Sequence, residues 1–271
     1  MQETADKREG APSVGREGAA KKPPDSIISI RGLYKKFGGH EVLKGVDLDI
    51  EEGSTVVILG VSGSGKSVLM KHVIGLLRPD AGSVYVDGTD ICQLNEDGLQ
   101  EVRRSFGMVF QTAALFDSLT VYGNVSFPLR EHYRRMPEQE IRRRVHHKLE
   151  MLGLAGHEEK YPGELSGGMR KRVGLARAVV MEPKIVLYDE PTTGLDPITT
   201  DDVDNMILEA REALNVTSVV ISHDIGSAFK VANKLAVLYD GRIVAEGAPP
   251  ELRGHSHPHV QQFVETWFGR K

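Results

Sequence analysis

Cysteine is almost absent from this sequence: Cys92 is the only one in 271 residues. No internal disulfide can form, which removes the disulfide-stapled secreted scaffolds and fits a reducing compartment. Long hydrophobic runs are missing too. No apolar stretch approaches the ~18 residues that cross a bilayer, and the charged N-terminal stretch lacks the apolar segment of a secretory signal. Work at a membrane is therefore expected to run through a partner. A surplus of positive charge is lacking as well. Lys and Arg number 34 against 38 Asp and Glu, a net charge of −4, without the basic footprint of nucleic-acid binding. Large apolar residues are scarce over residues 1–25, which are rich in Gly, Ala, Pro, Lys and Glu. Such a segment cannot bury enough surface to offset its ordering entropy, so a disordered tail is expected there. The remainder has the composition of one large globular domain or two small ones.

What is present is organised around residues 56–67. Val56–Leu59 is an apolar, β-branched run that suits a strand buried on both faces. Gly60-Val61-Ser62-Gly63-Ser64-Gly65-Lys66-Ser67 fits the phosphate-cradling pattern G-x-x-x-x-G-K-[ST]. Val68, Leu69, Val73, Ile74 and Leu77 then keep helical spacing until Pro79. The loop thus stands between a strand and a helix. Glycines let backbone N–H groups approach phosphate oxygens, and the helix N-terminus adds the positive end of its dipole. Lys66 supplies a mobile cation for the β- and γ-phosphates, and Ser67 a hydroxyl suited to Mg2+.

Alternation of period two marks Ile28 and Ile30, Val46, Leu48 and Ile50, and Val84 and Val86 as antiparallel strands, a small β-subdomain beside a parallel core. Phe37, in the Gly-bounded loop Lys35–Gly39, either stacks on an adenine base or packs in the core. Phe106–Phe110 reads as an apolar strand running into Gln111. Thr112–Pro128 reads as irregular, and its Leu115, Phe116, Leu119, Val121 and Phe127 form either a docking surface or subdomain core. Pro137 opens a helix with Ile141, Val145, Leu149 and Leu152 on one face. Arg142, Arg143, Arg144, His146, His147 and Lys148 lie mainly on the other, a solvated face or one turned to a membrane partner.

Ser166 is a good N-cap in Leu165-Ser166-Gly167-Gly168-Met169, ahead of a helix that carries Val173, Ala176 and Val180 and ends by Pro183. Gly167 and Gly168 expose N–H groups there, a second candidate phosphate site. Ile185–Tyr188 is a buried-strand run ending in Asp189-Glu190. Carboxylates at the C-terminal end of a parallel strand face the ligand crevice of an α/β sheet. Beside a P-loop, the first suits Mg2+ and the second a general base for water. Gly194–Pro197 leads into a helix to about Leu214, and Thr217–Ile221 is a strand ending at His223, on the same expected sheet edge. Leu235–Tyr239, Asp240-Gly241 and Arg242–Ala245 read as a hairpin. Pro258–Phe268 puts Val260, Phe263, Val264 and Trp267 on one helical face, which packs on its own domain or on a second subunit.

In chain order, Gly60–Ser67, Gln111, Leu165–Met169, Asp189-Glu190, Gly194–Asp196 and His223 resemble the ATP-binding cassette (ABC) ATPases over about residues 27–250. The resemblance implies an α/β fold: a P-loop NTPase core, an antiparallel β-subdomain and an α-helical subdomain at about 112–182. The domain is expected over 26–252, with a C-terminal helix at 253–271. It implies hydrolysis of ATP with Mg2+. It gives Phe37 the adenine, Gly60–Val68 the nucleotide, and Ser67, Gln111 and Asp189 the Mg2+ shell. Gln111 also reaches the attacking water, Glu190 is the general base and His223 meets the γ-phosphate. Asp196 is the D-loop residue. Ser166, Gly167, Gly168 and Met169 are the signature loop, which in that family meets the γ-phosphate of ATP held by the other subunit, so two copies are expected head to tail. Met169 stands where the family usually has Gln.

A finer resemblance, in Phe110–Val121, Leu165–Arg172 and Tyr188–Ile198, is to lipid-transport ATPases of the Mla/Mce type. It implies phospholipid transport between inner and outer membranes by a homodimer, peripheral on the cytoplasmic face of the inner membrane. The implied partners are MlaE-like permease subunits, an Mce-domain (MlaD-like) protein and a small STAS-type (MlaB-like) subunit, with no nucleic acid. The competing classes are an importer for another solute and a soluble ABC ATPase acting on nucleic acid or ribosomes. The second usually carries two cassettes in one chain or a long coiled-coil insertion, and this sequence has neither.

Overall fold

The structure, a computed structural model, describes residues 26–268, with side chains as far as Glu265. The tail expected over 1–25 and the side chain of Trp267 lie outside the described residues. The alternating segments form β1 (Ser26–Phe37), β2 (His40–Glu51), β4 (Ala81–Val86) and the short β5 (Thr89–Asp90), a four-stranded antiparallel sheet of order β2-β1-β4-β5.

The second sheet has six strands. β3 (Thr55–Leu59) is buried at every residue, as a continuous apolar run requires. With β6 (Phe106–Val109), β7 (Ile185–Asp189), β8 (Thr217–Ser222), β9 (Lys234–Tyr239) and β10 (Arg242–Gly247) it makes the order β10-β9-β3-β8-β7-β6. All pairs are parallel except β9 with β10. Those two form the expected hairpin, and Asp240 and Gly241 both take positive φ at its turn.

Alternate residues of the parallel strands serve two cores. Val57, Leu59, Val186, Tyr188 and Val220 face one; Val56, Ile58, Ile185, Leu187 and Ile221 face the other. Each fully buried Val, Ile or Leu contributes about 1.5–3 kcal/mol. The second core is closed by α1 (Lys66–Val73), α2 (Glu96–Arg103) and the antiparallel sheet. The first is closed by α3 (Val121–His132), α4 (Glu138–Met151), α5 (Gly167–Val179), α6 (Pro197–Leu214), α7 (Ile225–Val231), α8 (Pro249–Arg253) and α9 (Pro258–Phe268). The buried face of α4 holds Ile141, Val145 and Leu149. α9 packs on its own domain, with Val260 buried and α7 and α8 beside it; it starts at Pro258 rather than at residue 253.

Two further expectations are corrected. The helix expected to reach Leu77 stops at Val73. Gly75 takes φ +66, and the N–H groups of Gly75 and Leu76 close back on the carbonyls of His72 and Lys71. This glycine terminator overrides the apolar spacing beyond it. Thr112–Pro128, expected to be irregular, contains most of α3. Thr120 caps that helix through the Gly123 N–H, and Val121, Val125 and Leu129 line its buried face. Pro128 sits inside α3 and masked the i, i+4, i+8 pattern.

One buried charge makes stability depend on pH. Asp204 on α6 accepts a hydrogen bond from Ser227 on α7, and burial pushes its carboxyl up to about 6. In the unfolded chain such a group titrates near ~4. The folded state therefore holds the proton more tightly. The stabilisation is fully present below ~4 and is lost as pH rises through the folded value. Asp204→Asn is expected to raise stability by about 1–3 kcal/mol at pH 8 and to change it little at pH 4. Urea unfolding at the two pH values checks this; an equal effect at both contradicts it.

Candidate active site

Four neighbouring parallel strands end on one edge. Leu59 of β3 pairs with Ser222 of β8, Asp189 of β7 with Ile221, and Val109 of β6 with Tyr188. The P-loop, His223, Asp189-Glu190 and Gln111 follow these strand ends directly. This is the edge where α/β sheets bind ligands.

The P-loop ends on Gly65, the N-cap of α1, at φ +103 with no side chain capping the helix. A Cβ there would lie 3.1 Å from the Val42 carbonyl oxygen, so β2 pins the loop from outside. The first turn of α1, Lys66 to Val68, keeps N–H groups without intrahelical acceptors, which suits an anion. Lys66 is buried. Its Nζ donates to the carbonyls of Gly60 at 2.7 Å and Val61 at 3.2 Å, and pairs with Glu190 Oε1 at 3.3 Å. Ser64 Oγ is buried with no hydrogen-bond partner among the described residues. Val61, Ser62, Gly63 and Ser67 face the surface.

Glu190 adopts φ +50, a conformation that costs a residue with a side chain about 1–3 kcal/mol. Its N–H extends the sheet by bonding Ile221 O at 2.9 Å. Oε2 accepts from Thr193 Oγ1 at 3.0 Å and lies 2.6 Å from His223 Nδ1. A carboxylate only accepts, so the ring nitrogen facing it carries the proton. Asp189 is half-buried, and burial, reinforced by the charge of Glu190, raises its pKa; Lys66 and Lys71 oppose the rise. No donor among the described residues hydrogen-bonds the Asp189 carboxylate. A half-buried carboxylate of this kind, on the same sheet edge as the P-loop and its exposed Ser67, fits Mg2+, which takes one or two protein oxygens and fills its shell with phosphate and water. Among the described residues no cluster of three or more His, Cys, Asp or Glu offers a denser cage.

The other expected site residues lie at four separate points of the fold. Gln111 is exposed just past β6. Phe37 is 46% exposed at the tip of the β1–β2 hairpin, with Lys35 Nζ 5.4 Å from its ring centroid, so the alternative of core packing is set aside. Ser166 caps α5 by accepting from the Met169 N–H at 3.2 Å. Ser166 and Gly167 are exposed, and no atom lies within 4 Å of a Cβ built on Gly168. Met169 is partly buried against the larger core, so its backbone rather than its thioether belongs to the loop surface. α5 packs on β6, which is three strands from β3, about 14 Å away. Asp196 caps α6, accepting from the Ile198 and Thr199 N–H groups at 3.0 and 3.1 Å.

Beside Gln111 opens a groove of about 530 Å3, lined by Phe110, Phe116, Phe127, Arg104, His132 and Arg177 among others. Phe116 and Phe127 sit with ring centroids 4.8 Å apart and both are exposed, whereas Val121 is buried. The apolar stretch after β6 thus divides between surface and core.

Two polar residues of this region were not singled out in the sequence. Thr193 orients Glu190, and its position three residues on is the only sequence signal. Lys171 is buried on α5 in line with Leu175 and Ala178, at i, i+4 and i+7. A lysine on an apolar stripe is that signal.

The family model described as ABC transporter matches residues 43–193. The chain is 43% identical to the "Probable ribonucleotide transport ATP-binding protein mkl" of Mycobacterium leprae, covering 93% of this chain and 72% of that protein. It is 39% identical to the "Intermembrane phospholipid transport system ATP-binding protein MlaF" of Haemophilus influenzae, covering 89% of this chain and 90% of that one. It is 41% identical to the "Methionine import ATP-binding protein MetN" of Carboxydothermus hydrogenoformans, covering 89% and 72%. Among solved structures, cbiO1 of Clostridium perfringens superposes with a TM-score of 0.80 at 33% identity, covering 91% and 97%. The cassette MJ0796, solved as a dimer with ADP and Pi after hydrolysis, gives 0.71 at 35%, covering 82% and 98%. Strand order, P-loop setting and these likenesses agree: the chain belongs to the ABC transporter family, as an ATP-binding subunit that hydrolyses ATP.

Proposed function

We propose that this chain is the motor of a transporter that moves phospholipid between two membranes, acting as a homodimer bound to a permease on the cytoplasmic face of the inner membrane. The observation that carries the motor reading is the aromatic groove opening beside Gln111. A permease helix seated there touches the segment that links β6 to α3, and so senses the state of the nucleotide edge. No helix among the described residues is long and apolar enough to cross a membrane. The lipid class is supported by the likeness to MlaF over 90% of that protein. An Mce-domain protein and a small STAS-type subunit are the further partners this reading expects.

ATP binding begins with an exchange. Lys66 leaves the Gly60 and Val61 carbonyls and Glu190 for the β- and γ-phosphate oxygens, while the N–H groups at the start of α1 meet the phosphates. Phe37 stacks on the adenine. Ser67, Asp189 and Gln111 would hold Mg2+, which neutralises charge on the phosphates when bound. Glu190, released by Lys66 but still held by Thr193 and His223, takes a proton from the attacking water as the bond between the γ-phosphorus and the ADP oxygen breaks. His223 keeps the Glu190 carboxylate oriented through Nδ1, 2.6 Å away, and in this reading its other ring nitrogen, when it also carries a proton, meets the γ-phosphate. Ser166, Gly167 and Gly168 of a second copy complete the site through the N-terminus of α5, and Asp196 sets the start of α6 beside it.

The likeness to MetN and mkl favours a second reading, an importer for a small polar solute. Purifying the tagged protein from detergent-solubilised membranes separates the two. The lipid reading expects a permease together with an Mce-domain protein, and ATP hydrolysis that responds to phospholipid. Recovery of an amino-acid or nucleotide permease without an Mce-domain partner overturns it and leaves the motor.

A further inference from the structure

One face of α5 grips the segment that follows Gln111. Lys171, Gly174 and Arg177 are spaced i, i+3 and i+6, so they share that face. Lys171 is only 6% exposed, and its Nζ donates to the Gln111 carbonyl and, at 2.8 Å, to the Pro191 carbonyl. A Cβ on Gly174 would lie 3.1 Å from Ala113 Cβ, so α5 and the segment touch backbone to backbone. Arg177 donates to the carbonyls of Ala113 at 2.8 Å and Ala114 at 2.7 Å, with its guanidinium 5.8 Å from the Phe116 ring centroid. Ala113 and Ala114 both take positive φ, +61 and +47. Two such residues in succession persist only where the surroundings over-determine them.

The acceptors of Lys171 are informative. One is Gln111 itself; the other is Pro191, next to Glu190. No carboxylate among the described residues forms an ion pair with this ammonium, and burial lowers its pKa. A buried cation held only by main-chain carbonyls is costly as packing. Here it ties two loops of the catalytic edge to one helix. That helix begins at Ser166–Gly168, just over one turn before Lys171.

We propose that Lys171 is a positioning residue that sets Gln111 and Glu190 of its own chain relative to the signature loop, so that seating this loop on a partner's nucleotide aligns its own catalytic edge. The proposal rests on the reading of Gln111, Glu190 and Ser166–Gly168 given above. Closure of a partner over α5 then moves one rigid unit, the Lys171–Arg177 face with the Gln111–Ala114 segment. The aromatic groove, which shares Phe116 and Arg177, moves with it.

The test uses the full-length protein and four forms: wild type, Lys171→Met, Lys171→Arg and Glu190→Gln. ATP affinity, kcat and KM are measured for each. Lys171→Met is expected to lower kcat by about 10–100-fold with KM and ATP affinity within about 3-fold, the signature of lost alignment. Lys171→Arg, which keeps donors for both carbonyls, is expected to recover most of that loss. If Lys171→Met does not fold, Lys171→Gln, which keeps one donor group, is judged against Lys171→Arg by the same split. A Lys171→Met kcat within about 2-fold of wild type overturns the proposal, as does a loss shared equally by kcat and KM or one that Arg fails to recover. Retained turnover in Glu190→Gln overturns instead the catalytic reading on which it stands.

Discussion

Glu190→Gln is expected to bind ATP and almost cease to hydrolyse it. The substitution keeps the size and planarity of the side chain, and its carbonyl oxygen still accepts from Thr193 and His223, whose donors lie 3.0 and 2.6 Å from Oε2. What it removes is basicity. A water attacking phosphorus must lose a proton, and no other carboxylate at this edge is as well placed: Asp189 is the one suited to Mg2+. Loss of a general base lowers the rate by about 10²–10⁴-fold, roughly 3–5 kcal/mol of barrier. The same change also dissolves the 3.3 Å ion pair with Lys66, so the cation is freer to turn to phosphate. Affinity for ATP is therefore expected to hold or to improve. Single-turnover hydrolysis and equilibrium binding measure the two quantities separately. Near-normal turnover shows that Glu190 is not the base.

Lys66→Ala is expected to have the opposite profile, with binding itself lost. Lys66 is the cation of the P-loop, and it also neutralises the loop from within. Its removal strips the Gly60 and Val61 carbonyls of their donor and leaves the Glu190 carboxylate facing the polyphosphate. Hydrogen bonds to charged groups contribute about 1.5–3 kcal/mol each. Losing those that Lys66 makes to phosphate lowers affinity by at least about 10²-fold, with the bare carboxylate adding repulsion. Retained ATP affinity and turnover in this variant contradict the P-loop assignment.

The parts of this architecture that could be read from sequence are those fixed by neighbouring residues. Gly60–Ser67 carries its own strand and helix on either side. Asp189-Glu190 follows an apolar run, and Ser166 precedes its helix as any good cap does. Strand direction was also legible, because Val56–Leu59 and Ile185–Tyr188 are apolar without alternation whereas Ile28–Ile30 and Val46–Ile50 alternate. The rest depends on contacts that sequence does not display. Lys171 reaches a carbonyl 60 residues away and another 20 residues away. The end of α1 was decided by Gly75, and α3 was hidden by Pro128. Asp196 entered through the family likeness, yet its carboxylate hydrogen-bonds its own helix, a local role that a capping pattern alone predicts. The exposed pair Phe116 and Phe127 could not be separated from buried Val121 by spacing, since surface and core apolar residues look alike until α3 and the segment before it are placed.

The central claim is that each nucleotide site joins Lys66 and Glu190 of one chain to Ser166–Gly168 of another. It is tested most directly in mixed dimers purified through two different tags, all in a Glu190→Gln background so that bound ATP is retained. Lys66→Ala and Ser166→Arg are placed either on opposite chains or together on one chain, and ATP retained per dimer is measured after gel filtration. If the sites are shared, opposite-chain lesions fall in the same site and leave the other whole, so one ATP per dimer is retained. Both lesions on one chain then damage both sites, and none is retained. Equal retention in the two arrangements, or retention only when the lesions share a chain, contradicts the shared site.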